Sequence, residues 1–316
     1  MEEKLNILAE KIRNANSIVI AGHKNPDGDS LCSMLALARL IELNFGKNPV
    51  CAYDGNIPDY LDRVPGRSTV KYFEKIDGNH PFDLAIIVDY GDAAHLGGTL
   101  PLVRGACEIA EIDHHKNPTP MGQICFDNEN AAATGQIIFH MMCGAGWRAD
   151  ADALKLMAVA MLTDTGHFKF VRDGAVLRDM AQLVDMGVSL RDLSDMLNNK
   201  SRSTILAEAR VTSRAEFFYH DRLAVAMVTG RDYKHLDGRG DVILNLLGQI
   251  KNVEYVVLLK QQKENQIGIS LRSRSQPINH IAEMFGGGGH LYAAGAVAHD
   301  TLENVRARVI DVFKGI

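Results

Sequence analysis

The sequence predicts an α/β protein: an N-terminal, mainly parallel sheet with helices on both faces, a helical linker, and a smaller C-terminal α/β domain. Three observations carry this. Short β-rich runs alternate with helical stretches from residue 17 to residue 164, the rhythm of strand–helix–strand units. The runs are mostly continuous in apolar character rather than alternating in polarity, as strands covered on both faces are. A chain of 316 residues also exceeds the size at which one core usually stops growing, so two domains are the default.

Taken in order, residues 17–21, 49–53, 84–88 and 108–112 read as buried strands. Residues 31–43 carry Leu, Met and Ala at helical spacing, and 131–144, 151–162 and 174–186 read as further helices. Residues 189–216 hold Leu190, Leu193, Met196, Leu197, Ile205, Leu206 and Ala209 among many Arg and Lys, which suits a helical linker. Strand-like runs return at 223–228, 254–259 and 266–271, alternating with helices near 240–250, 277–285 and 302–313. The expected division is therefore a domain over 1–188, a linker over 189–216 and a second domain over 217–316. Neither an internal repeat nor a low-complexity tract is evident.

Composition excludes several classes. A hydrophobic fraction of 46% with 23% charged residues is that of a soluble globular protein. The apolar runs fall far short of the ~20 residues a membrane span needs, so a cytoplasmic protein without a membrane partner is expected. Cys32, Cys51, Cys107, Cys125 and Cys143 are scattered, without a C-x-x-C pair, as free thiols in a reducing compartment are. The net charge of −5 argues against tracking along duplex nucleic acid and leaves short anionic ligands open.

Chemistry concentrates in five clusters. Ile20 runs into His23-Lys24-Asn25-Pro26-Asp27-Gly28-Asp29, Val88 into Asp89-Tyr90-Gly91-Asp92, and Ile112 into Asp113-His114-His115. The carboxyl ends of strands are where open α/β sheets place their sites. Pro26 and Gly28 enforce a turn that lets His23, Asp27 and Asp29 converge. Asp89 ends an apolar run, a costly place for an acid unless it is paired, exposed or on a metal. Adjacent imidazoles cannot share one face of a strand, so one of His114 and His115 can bind metal while its neighbour addresses substrate. Asp164 sits in Thr163-Asp164-Thr165-Gly166, after another apolar helix. Each cluster taken singly also reads as a turn or a helix cap. Together, carboxylates and imidazoles at strand ends suit two divalent ions.

The fifth cluster, Gly286-Gly287-Gly288-Gly289-His290, offers backbone N–H groups without Cβ obstruction to an anion, and His290 adds a donor. Its spacing is not that of a dinucleotide-binding turn. The preceding run ends in Arg272-Ser273-Arg274, guanidinium and hydroxyl groups apt for phosphate.

With these motifs the chain resembles the DHH phosphoesterase superfamily, named for the triplet seen here as Asp113-His114-His115, and within it the nanoRNase and pAp phosphatase branch. The resemblance covers nearly the whole chain, including the glycine run and Ala293-Ala294-Gly295. It implies one metal on His23, Asp27 and Asp89 and another on Asp29, Asp89, His114 and Asp164, with Asp89 bridging. It implies Mn2+, two ions, with Co2+ or Mg2+ as substitutes; mixed imidazole and carboxylate donors also favour such ions over Ca2+. Arg272, Ser273 and Arg274 become substrate-phosphate binders alongside Gly287, Gly288, Gly289 and His290.

Two ions about 3.5 to 4 Å apart can activate a water for in-line attack on phosphorus. In that scheme His115 contacts a phosphate oxygen or protonates the departing oxygen, and Asp92 orients a ligand or the nucleophile. The expected activity is hydrolysis of short single-stranded RNA and dinucleotides to 5′-mononucleotides, and of pAp to AMP. A homodimer is compatible with it. A phosphodiesterase for cyclic or linear dinucleotides would use the same motifs. An inorganic pyrophosphatase is disfavoured by the glycine run, and a non-catalytic nucleotide-binding module by the complete ligand set.

Overall fold

The computed structural model describes residues 2–77, 81–116, 119–236 and 240–315, with the backbone alone at His290. The chain divides into two compact units, Met1–Asn199 and Lys200–Ile316.

In the first unit the order is α1 (Glu2–Asn14), β1 (Ile18–Ala21), α2 (Gly28–Phe45), β2 (Val50–Tyr53), β3 (Lys71–Tyr72), β4 (Leu84–Val88), α3 (Leu100–Arg104), β5 (Glu108–Asp113), β6 (Ile124–Asp127), α4 (Thr134–Ala145), α5 (Ala151–Asp164), α6 (Ala175–Asp185) and α7 (Leu190–Leu197). Its strands form one parallel sheet in the order β3-β2-β1-β4-β5-β6. The register sets Ile20 beside Cys51 and Ile86, and Ile86 beside Ala110.

Why the strands read as unbroken apolar runs is visible in the two cores. Ile18, Ile20, Leu84, Ile86 and Val88 pack on one face with α1, α2, α4 and α5. Val19, Ala21, Ala85 and Ile87 pack on the other with Tyr90, Leu96 and Val103 of the crossover that includes α3. With no wet face, the strands carry their polar residues at their ends, apart from Glu111 inside β5, whose carboxylate is hydrogen-bonded by Tyr90, Met121 and Gly122. Chain order reverses between β1 and β4, because β1 leads outward to β2 while β4 leads to β5 the opposite way. That crevice, at the carboxyl edge, is where ligands bind in open parallel sheets.

Helix α2 begins at Asp27, whose carboxylate accepts from the N–H groups of Asp29 and Ser30, and ends at Gly46 in the left-handed region with φ 66°. An acidic N-cap of this kind contributes about 1 kcal/mol.

The second unit runs α8 (Arg202–Ser213), β7 (Glu216–Phe218), β8 (Leu223–Val228), α9 (Gly230–Leu236), α10 (Asp241–Gly248), β9 (Tyr255–Lys263), β10 (Gln266–Ser273), α11 (Asn279–Glu283), β11 (Gly288–His290), β12 (Ala293–Ala298) and α12 (Leu302–Val312). Its sheet has the order β11-β12-β10-β9-β8-β7, with β8 and β9 parallel and the other pairs antiparallel. The unit boundary falls inside the stretch expected as a linker. Leu193 and Leu197 of α7 join the first unit's core, whereas Ala207 and Val211 of α8 join a core with β8, β9 and α10.

Among the described residues no helix is long and apolar enough to cross a membrane.

Ile86 is fully buried at the centre of the first sheet. Ile86→Ala is expected to lower stability by about 2–5 kcal/mol, read as a shift of the urea midpoint, with the slope unchanged.

Candidate metal centre

The crevice between β1 and β4 gathers side chains from five places. His23, Asp27 and Asp29 come from the turn after β1 and the first turn of α2, Asp89 from the residue after β4, His114 and His115 from just past β5, and Asp164 from the last residue of α5. Asp89 is 2% exposed and adopts φ 49°, a left-handed conformation that Asp tolerates better than most residues. Its N–H donates to Ile112 O at 3.1 Å, so the chain turns out of the sheet while still paired to β5.

Two imidazoles face the acids in the same manner. His23 Nδ1 lies 3.0 Å from the Lys24 carbonyl oxygen, and its Nε2 lies 3.6 Å from both Asp27 Oδ1 and Asp89 Oδ2. His114 Nδ1 lies 3.4 Å from the Ala131 carbonyl oxygen, and its Nε2 is 3.5 Å from Asp89 Oδ1, 3.6 Å from Asp164 Oδ2 and 3.8 Å from Asp29 Oδ2. A backbone carbonyl on Nδ1 fixes the tautomer that leaves Nε2 as an electron-pair donor, the usual arrangement of metal-binding histidines. One donor atom each from His23, Asp27 and Asp89 lies within 4.8 Å of the others, and the same holds for Asp29, His114 and Asp164. This donor set, imidazole nitrogen with carboxylate oxygen, fits two divalent cations of the transition series.

Asp29 is buried and fully engaged: Oδ1 accepts from Ser33 Oγ at 2.9 Å and Gly135 N at 3.0 Å, and Oδ2 from Thr134 N at 2.7 Å. Thr134 Oγ1 also donates to Asp89 Oδ1 at 3.3 Å. The start of α4 is therefore part of the centre, and sequence reasoning missed it. A Thr-Gly pair after three alanines reads as an ordinary helix start. The available signal was the pair of N–H groups that any helix N-terminus leaves for an anion.

His115 does something else. Its N–H and its Nδ1 both contact Asp113 Oδ1, at 3.0 and 2.8 Å, while Asp113 Oδ2 accepts from Tyr90 N at 3.1 Å and Gly91 N at 2.7 Å. Asp113 is fully buried and holds the His115 ring with its other nitrogen outward, 43% of the side chain exposed. Burial alone would raise the Asp113 pKa, but His115 and the N–H donors outweigh it and lower it. Asp113 in turn raises that of His115.

The charge balance favours cations. Burial and the neighbouring Asp89 and Asp164 carboxylates push Asp29 well above the usual range. Burial, against the attraction of His114 and with the repulsion of Asp89 and Asp27, brings Asp164 to about 6. Burial would lower both imidazoles, but the acids outweigh it and raise His23 to about 9 and His114 to about 10.

Not every expected residue joins the cluster. Asp92 caps the 3₁₀ turn Ala93–Thr99, with Oδ1 accepting from Ala94 N and His95 N. In the second unit Arg272 pairs with Asp241 at 3.0 Å, Ser273 Oγ donates to Gln276 O, and Arg274 donates to Gly248 O and Ile250 O past the end of α10. The glycine run is not simply a loop, because Gly288–His290 pairs with β12. A Cβ at Gly287 would come 2.0 Å from Gly295 O, and one at Gly289 2.6 Å from Ala294 Cα, so close strand approach requires glycine there. The side chain of His290 lies outside the described residues. Gly286 and Gly287 line an open hollow of about 420 Å³ with Lys260, Ser270 and Gly295. Lys260, a cation lowered in pKa by burial, was not singled out from sequence because it ends an apolar strand run.

Residues 17–163 match the DHH family, N-terminal domain, and residues 221–315 match the DHHA1 domain. The chain thus carries a DHH-family domain followed by a DHHA1 domain. It is 28% identical to the "Bifunctional oligoribonuclease and PAP phosphatase NrnA" of Thermus thermophilus, across 99% of this chain and 94% of that one. It is 32% identical to a "Probable manganese-dependent inorganic pyrophosphatase" of Clostridium acetobutylicum, across 54% of this chain and 55% of that one. Among solved structures, an exopolyphosphatase-related protein from Bacteroides fragilis superposes with a TM-score of 0.88 at 23% identity, covering 99% of this chain and 97% of that one, and so shares the fold. The DHH-family relatives named as bifunctional oligoribonuclease and PAP phosphatase are phosphodiesterases and phosphatases.

At pH 7 the metal-free centre carries protons on His23 and His114, which contribute stability fully present below their unfolded value of about 6.5 and lost as pH rises through 9 to 10. A cation must displace those protons. Mn2+ affinity is therefore expected to rise from pH 7 to pH 9, with proton release seen in calorimetry as a dependence of binding heat on buffer ionisation enthalpy. An affinity flat across that range would contradict the geometry.

Proposed function

We propose that the protein is a two-metal phosphoesterase that hydrolyses short oligoribonucleotides and dinucleotides to 5′-mononucleotides and pAp to AMP, with Mn2+ as the working ion. The observation that carries this reading is Asp89, which lies within reach of both imidazole–carboxylate groups. His23, Asp27 and Asp89 would hold one ion, and Asp29, Asp89, His114 and Asp164 the other. When bound, the pair would supply charge neutralisation at the phosphoryl group and an activated water.

The chain's own residues divide the remaining work. Asp29 is fixed by Ser33, Thr134 and Gly135, so its oxygens need no reorganisation on binding. Thr134 Oγ1 steadies Asp89 in the same way. His115, anchored through Nδ1 on Asp113, presents Nε2 for a hydrogen bond to a phosphate oxygen or for protonation of the departing oxygen. Its raised pKa keeps a larger share of it protonated near neutrality, as an acid requires. In the second unit, Arg272, Lys260 and the backbone of Gly287–Gly289 are the groups we assign to substrate phosphate, with Ser273, Arg274 and His290 as further contacts. Lys260 enters this assignment through the hollow it shares with Gly286 and Gly287. The relative from Thermus thermophilus, alike over nearly its whole length, supports the nucleotide substrate class. The Clostridium relative's name supports manganese. All five cysteines are free, as suits a cytoplasmic enzyme.

The deciding assay supplies labelled dinucleotide, cyclic dinucleotide, pAp and pyrophosphate with Mn2+, then with excess chelator. Dinucleotide and pAp are expected to turn over, with chelator abolishing both. Preferential cleavage of pyrophosphate or of the cyclic dinucleotide would overturn the assignment. Asp89→Ala is expected to remove turnover of every substrate, whereas His115→Ala should lower kcat about 10²–10⁴-fold with metal binding retained. Arg272→Ala should act mainly on KM.

A further inference from the structure

Below Asp113, on the same face of β5, lies a second group of donors that the proposed reaction does not use. Glu111 is fully buried. Its Oε2 accepts three hydrogen bonds, from Tyr90 Oη at 2.7 Å, Met121 N at 3.0 Å and Gly122 N at 3.1 Å. Its Oε1 is buried with no hydrogen-bond partner among the described residues. The register of β5 and β6 sets Glu111 beside Cys125 and Asp113 beside Asp127. One donor atom each from Glu111, Cys125 and Asp127 lies within 4.8 Å of the others. Asp127 is exposed and Cys125 partly so, which leaves the group open to solvent.

Lys4, the cation that acts on Cys125 and Asp127, donates no hydrogen bond to the Glu111 carboxylate. Lys4 Nζ donates to the Cys125 carbonyl oxygen at 2.9 Å, a backbone contact. A buried carboxylate with one oxygen crowded by donors and the other bare is an incomplete arrangement, because a buried polar atom is normally paired. A cation on the bare oxygen would complete it.

We propose that Glu111, Cys125 and Asp127 form an additional site for a thiolate-preferring divalent cation of the Zn2+ or Co2+ type, separate from the catalytic pair. The choice of ion follows from the donors. A sulfur ligand selects zinc and cobalt over the harder manganese and magnesium, whereas the Asp and His donors around Asp89 offer no sulfur. Ligand distances of about 2.0–2.3 Å require only a small contraction of the three donors. Binding forms a sulfur–metal bond, and the Cys125 thiol proton leaves to solvent. The ion would tie the edge strand β6 to β5, directly beneath the carboxylate that orients His115. Water would fill the coordination left open on the Asp127 side.

Co2+ is the probe. Added to metal-stripped protein, it is expected to give the near-ultraviolet thiolate-to-cobalt charge-transfer band. Cys125→Ser should lose the band, and stoichiometric Zn2+ should displace it. Asp89→Asn, which alters the catalytic centre only, should keep it. Asp127→Asn, a surface change that leaves the fold intact, should weaken Co2+ binding at this site at least tenfold, so a poorly folded Cys125 variant does not block the test. The proposal is overturned by a wild-type protein without the band, by a band that survives in folded Cys125→Ser, or by unchanged affinity in Asp127→Asn. None of these outcomes bears on nucleotide hydrolysis, so the two proposals fail separately.

Discussion

Four carboxylates held at one sheet edge against their mutual repulsion are the constraint from which the first unit's architecture follows. Two unit charges 4 Å apart near a protein surface repel by about 4 kcal/mol, and Asp27, Asp29, Asp89 and Asp164 crowd around two imidazoles. The fold answers with fixed donors. Asp27 is held by N–H groups of the helix it caps, and Asp29 by the N-terminus of α4 and by Ser33. Protons on His23 and His114 supply what neutralisation the metal-free protein has. Apart from Glu111 in β5, the central strands of the sheet are apolar on both faces, which leaves the carboxyl edge as the place where most of its polar groups gather.

Position along β5 then separates two tasks that sequence alone runs together. Asp113, His114 and His115 are consecutive, yet His114 Nε2 sits among Asp29, Asp89 and Asp164, whereas His115 Nδ1 lies 2.8 Å from Asp113 and 3.6 Å from Asp89. The first member of the triplet belongs to neither proposed ligand set, and its carboxylate is spent on His115, Tyr90 and Gly91. It works through the second imidazole and through the Tyr90 and Gly91 N–H groups, and so fixes the turn that carries Asp89. A buried acid that looks redundant in the motif is what holds the His115 ring.

How much of this was legible depended on burial. Strands β1, β2 and β4 show in the sequence because their runs are apolar, and β5 shows through Ile109, Ala110 and Ile112 although Glu111 interrupts it. β3, two residues with one exposed lysine, and β6, half-covered at the sheet edge, give no such signal. In the second unit β11 and β12 are built from Gly and Ala, residues with little preference for strands, so they read as a loop; close approach of the two backbones, invisible to propensity, is what pairs them. The acids and imidazoles of the centre were legible as motifs. Thr134, Gly135 and the burial of Asp113 were not, because their importance comes from which helix start and which strand register the fold brings to the same point.

The helices meeting at this edge are not alike in orientation. α2 and α4 bring their amino ends, whose free N–H groups face Asp27 and Asp29, whereas α5 arrives by its carboxyl end and carries Asp164 there. A helix terminus of that kind bears partial negative charge, the wrong company for an acid. The basin is thus bipolar: on one flank backbone N–H groups face the acids, and on the other Asp164 stands at the negative end of a helix with His114 as its partner. A cation arriving beside Asp164 would relieve both at once.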